Sequence, residues 1–92
     1  MAVTRRLRIN GRVQGVFYRG WSVKTARGLG LRGWVRNCGD GSVEMLLHGD
    51  EGQVEAMIAR CREGPPAARV DRVDVTEDAE EAPAGFEERA TL

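Results

Sequence analysis

Gly11-Arg12-Val13-Gln14-Gly15-Val16-Phe17-Tyr18-Arg19 lies between two stretches of different periodicity. Before it, Leu7 and Ile9 alternate with Arg6, Arg8 and Asn10, the two-residue period of a strand. After it, Tyr18, Ser22, Thr25, Ala26 and Leu29 recur at three- and four-residue spacing, the period of a helix. A strand that passes into a helix through a loop carrying Gly11 and Gly15 is suited to holding an anion. Glycine lets successive backbone N–H groups turn inward, and the helix start adds partial positive charge. Arg19 falls in the first helical turn, where its fork of donors can meet two oxygens of a phosphate or carboxylate. The spacing is neither the Walker loop, which needs Gly-Lys-Ser/Thr, nor Gly-x-Gly-x-x-Gly. Taken alone, it also describes a tight turn with a surface arginine.

The rest of the chain continues the alternation of strands and helices. Gly20 and Gly28 weaken the first helix by roughly 1 kcal/mol each relative to alanine, and Gly30 is placed to end it. Residues 31–37 read as a second strand with Leu31, Gly33 and Val35 on one face. Cys38-Gly39-Asp40-Gly41 is a turn, and residues 42–48 form a third strand in which Val43, Met45 and Leu47 alternate. Asp50 is an N-cap for a second helix, with Gln53 at the capping-box position. Val54, Met57, Ile58 and Cys61 then make one apolar stripe, and Gly64-Pro65-Pro66 stops the helix. Residues 68–75 are a fourth strand whose Val70, Val73 and Val75 break strict alternation, which predicts a bulge. Residues 76–83 read as an acidic, solvated and mobile loop, and residues 86–91 as a short edge strand. The order βαββαβ with right-handed crossovers predicts an α+β fold. It is the ferredoxin-like sandwich, an antiparallel sheet with two helices on one face.

Composition narrows the function. Ninety-two residues are expected to form a single domain, 1–92. No apolar run approaches the roughly 18 residues needed to span a membrane, and no secretory signal is visible, so a cytoplasmic location is expected. Cys38 and Cys61 are expected to be reduced thiols. Net charge is zero, but residues 1–46 hold nine basic groups against two acidic ones, Asp40 and Glu44. The basic half carries the loop and would attract a small anion. Asp40 and Glu44 are expected on a solvated face. His48, the one histidine, has no ligand spacing with Cys38 or Cys61, so no metal and no cofactor are expected.

The opening stretch resembles the first signature of the acylphosphatase family. Gly33-Trp34-Val35-Arg36-Asn37, continuing through Gly39 and Gly41 to Val43 and Gly49, resembles the second. The likeness covers the chain to about Pro83. It implies hydrolysis of acyl phosphates to a carboxylate and inorganic phosphate, without metal. It implies Arg19 and Asn37 as the catalytic residues, Arg19 on the phosphoryl group and Asn37 orienting the water. Backbone N–H groups of Gln14, Gly15, Val16, Phe17 and Tyr18 would bind the substrate. The expected partners are a small acyl phosphate and phosphate or sulfate as a ligand, with no nucleic acid and no membrane, for a monomer. One alternative is a non-catalytic phosphate or carbamoyl-phosphate binding module, as in the larger maturation enzymes; a free-standing enzyme is expected instead. The other is an RNA-binding ferredoxin-like domain, disfavoured because neither the Leu7–Ile9 strand nor the Val43–Leu47 strand has an aromatic residue to stack bases.

Overall fold

A computed structural model describes residues 1–92. The elements are β1 (Ala2–Arg12), α1 (Tyr18–Gly28), β2 (Arg32–Asn37), β3 (Val43–Asp50), α2 (Glu51–Glu63), β4 (Arg69–Glu77) and β5 (Phe86–Glu88). The sheet order is β4-β1-β3-β2-β5. The first four strands pair antiparallel, as expected, but β5 runs parallel to β2, so the sheet is mixed. The edge strand is also shorter than the sequence predicts, ending at Glu88 rather than at residue 91. The expected bulge is present. Asn10 pairs with Arg72 and Gly11 with Val70, leaving Asp71 without a partner on β1.

Both helices cover one face of the sheet. Leu7, Ile9, Val35, Val43, Met45 and Leu47 point into a core filled from the other side by Tyr18, Ala26 and the α2 stripe of Val54, Met57, Ile58 and Cys61. Asp50 caps α2, its carboxylate accepting from the Gly52 N–H. Gln53 does not close a capping box; its amide donates instead to the Leu29 carbonyl at 3.5 Å, beside the end of α1. Gly33 is required where β2 and β3 meet. Its φ is 144°, and a Cβ there would run into the Leu46 carbonyl oxygen.

The opposite face of the sheet is roofed by charge. Trp34 is only 1% exposed, packed with Leu46 and Ala82. The guanidinium groups of Arg6, Arg36 and Arg89 lie 4.7–5.4 Å from the centre of its ring, and its indole N–H donates to Glu80 at 2.9 Å. Arg6 binds Glu44, Asp78 and Glu80 at 2.6–2.7 Å, and Arg36 binds Glu44 from the other side. Arg32 donates to the carbonyls of Ala82 and Pro83.

Two expectations are corrected here. Glu44 is not on a solvated face but 6% exposed between arginines. The acidic segment of residues 76–83 is not a free loop. Thr76 and Glu77 extend β4, and the rest is tied across Trp34. Burial would raise the Glu44 pKa, but hydrogen bonds from Arg36 and Arg6 outweigh it and hold it below its usual 4.5. Asp78 is held below 3.8 by its bond from Arg6, and Asp40 by the Ser42 hydroxyl.

Lowered carboxylate pKa values stabilise the fold at pH above their unfolded values, and that stability is lost as pH falls through the folded ones. The melting temperature should therefore hold from neutral pH to about pH 5 and drop below about pH 4. Glu44→Gln should flatten that drop. Thermal melts across this range check both, and a flat curve for the parent chain would contradict the roof as described.

Candidate active site

The loop between β1 and α1 is held in place from both ends. Val13 is buried in the core, and the Gln14 side-chain amide donates at 2.8 Å to the carbonyls of both Cys38 and Ser42. Those two residues flank the turn of the β2–β3 hairpin, so the loop is fixed against the strand that ends in Asn37. At the other end Tyr18 is buried, and its hydroxyl donates at 2.7 Å to the Cys61 carbonyl, joining α1 to α2. Burial pushes the Tyr18 pKa up, so the ring stays a neutral hydrogen-bond donor.

Between these anchors the backbone turns left-handed twice. Gly15 has φ 74° and Phe17 has φ 67°. A bulky residue in that region costs on the order of 1–3 kcal/mol, a strain that persists only where the surroundings impose it. The turn ends at the first residue of α1, and no side chain caps the helix. No backbone N–H of residues 14–20 donates to a backbone or side-chain acceptor of the protein. The start of α1 therefore presents a run of free donors at the positive end of a helix dipole.

Five of the residues that carry these donors border a cavity of about 140 Å³. Gly15, Phe17, Tyr18, Arg19 and Gly20 line it from the loop and α1, with Val13 beneath, Asn37 from the end of β2 and Glu88 from β5. The Arg19 side chain is about one-third exposed, its Nη1 4.0 Å from a Glu88 carboxylate oxygen. The Asn37 Oδ1 is buried and has no hydrogen-bond partner. A buried acceptor without a partner costs about 1–3 kcal/mol, so its presence needs a reason.

Of the residues singled out from sequence, Gly15, Phe17, Tyr18, Arg19 and Asn37 meet in this one cavity. Gln14 and Val16 do not line it, and the Gln14 amide instead fixes the loop. Glu88 was not singled out. Its place follows from the parallel pairing of β5 with β2, which sets Glu88 against Val35. Nothing local in Phe86-Glu87-Glu88 announces that register.

No three or more His, Cys, Asp or Glu side chains are grouped to hold a metal ion. Cys38 and Cys61 are free and buried, and burial pushes the Cys61 thiol up to about 12. A larger groove of about 430 Å³ runs over Trp21, Lys24, Thr25, Leu29 and Arg60. It lies along the helices, away from the free N–H groups, and holds no comparable set of donors. No helix is long and apolar enough to cross a membrane.

Comparison with known proteins gives a consistent result. The acylphosphatase family model matches residues 5–88. An acylphosphatase of Rhodospirillum rubrum is 58% identical over 86 residues, which cover 94% of each chain. The structure of an acylphosphatase from Coxiella burnetii superposes with a TM-score of 0.91 at 34% identity, covering 96% of this chain and 93% of that one. Full-length HypF, in a phosphate- and nucleotide-bound form, superposes with a TM-score of 0.90 at 28% identity. That match covers 99% of this chain and 12% of HypF.

Proposed function

The chain belongs to the acylphosphatase family, and from that premise we propose how its cavity hydrolyses an acyl phosphate to a carboxylate and inorganic phosphate. The dianionic phosphoryl group sits among the N–H donors at the start of α1, with the Arg19 guanidinium on its equatorial oxygens. These contacts strengthen as charge spreads over those oxygens in the transition state. A water molecule, oriented by a hydrogen bond to the Asn37 Oδ1, attacks phosphorus in line with the departing carboxylate. The bond from phosphorus to the acyl oxygen breaks, and both electrons leave with the carboxylate. The proton lost by the water passes to a phosphate oxygen, so no side-chain base is needed. A carboxylate is a good leaving group, so no strong general acid is needed either.

One observation carries this reading: unpartnered backbone donors and an unpartnered buried acceptor, the Asn37 Oδ1, border the same small cavity. The reading includes a single cytoplasmic domain acting as a monomer without metal. The test is hydrolysis of benzoyl phosphate by the purified protein in EDTA, followed by release of inorganic phosphate. Turnover is expected at full rate. Phosphate binding with no turnover would instead make this a binding module.

A further inference from the structure

Phe17 combines two features that folding alone does not reward. Its backbone is left-handed although it is not glycine, and the residue is 73% exposed. Both occur at one residue on the wall of the cavity. One edge of the ring rests on α1 and the rest is open to solvent. The ring lies so close to Gly20 that a Cβ on that glycine would strike its Cε1 edge. Of the other large exposed hydrophobics, Met1 and Leu92 are at the chain ends and Val75 is on β4, and none of them lines the cavity. Phe17 is therefore the large apolar surface that a ligand in the cavity can reach from its outer side.

The bound phosphoryl group occupies the donors, so the acyl group must point out past the rim. We propose that the Phe17 ring is the platform for that acyl group and gives the enzyme a preference for flat, apolar acyl phosphates, aromatic ones above all. This rests on the reaction proposed above. Two rings in offset or edge contact gain more than a methyl group can on the same surface. The Glu88 carboxylate lines the same cavity and opposes acyl groups that carry a second negative charge.

The experiment compares kcat/KM for benzoyl phosphate and for acetyl phosphate in the wild type and in Phe17→Asn, Phe17→Leu and Gly20→Ala. Asparagine tolerates the left-handed backbone, so it removes the ring without adding strain. The benzoyl-to-acetyl ratio is expected to fall about tenfold in Phe17→Asn, through KM, whatever common factor moves both rates. Phe17→Leu should recover part of the ratio. Gly20→Ala keeps the ring but displaces it, and should also lower the ratio. An unchanged ratio in Phe17→Asn and Gly20→Ala, with both substrates turned over, would overturn the platform and leave the reaction standing. Failure of the wild type to hydrolyse either acyl phosphate would overturn the reaction, and the platform with it.

Discussion

Replacing Arg19 with alanine is expected to lower kcat/KM for an acyl phosphate by on the order of 10²–10³-fold, the scale for removing one donor that meets transition-state charge. Inorganic phosphate should bind the variant more weakly, because in the proposed reaction the guanidinium also faces the ground-state oxygens. Folding is not expected to suffer. Arg19 is partly exposed, and its one ionic neighbour, Glu88, is 4.0 Å away; exposed pairs of this kind contribute at most about 1 kcal/mol. Arg19→Lys separates charge from shape. Lysine restores the charge as a single point and cannot span two oxygens, so it should recover only part of the loss. Kinetics beside thermal melts decide the matter. A variant that keeps its melting temperature and its activity would remove Arg19 from the reaction.

Asn37→Ala is expected to behave differently in each of those respects. If Asn37 orients water rather than binding the phosphoryl group, kcat should fall on the order of 10²-fold while KM and phosphate affinity change by no more than a few-fold. The melting temperature should not fall. The Oδ1 is buried without a partner, and removing it removes a cost of about 1–3 kcal/mol that offsets the lost packing. Lower activity without lower stability is the signature of an atom kept for chemistry. A fall in stability with kcat preserved would assign Asn37 to the hairpin turn instead.

Much of the fold was legible because it depends on local spacing. The Leu7–Ile9 alternation, the Val54–Cys61 stripe and the turn after Asn37 each mark one feature of the chain, and the two apolar sets meet in a single core. The loop was legible for the same reason, since it joins two adjacent elements. What escaped depends on pairing between distant residues. Glu44 looks solvated in an alternating strand until β1 brings Arg6 beside it and β2 brings Arg36. The acidic segment looks mobile until Trp34 and Arg6 bind Glu80 and Asp78. Glu88 reaches the cavity only through a parallel register that has no local signal. The left-handed Phe17 escaped because that backbone conformation is read from glycine, which is not the residue there.

The position of β1 has a consequence for how the molecule is made. The strand lies between β3 and β4, so β1 pairs with residues 43–50 and 69–77, both of which are made after it. Translation adds roughly 5–20 residues per second, so β1 waits for seconds before its second neighbour exists. An unpaired strand bearing Leu7 and Ile9 is a template for aggregation during that wait. The arginines at 5, 6, 8 and 12 surround those apolar positions and keep the nascent strand from self-pairing. Arg6, which binds Glu44, Asp78 and Glu80 over the finished sheet, thus first guards its own strand.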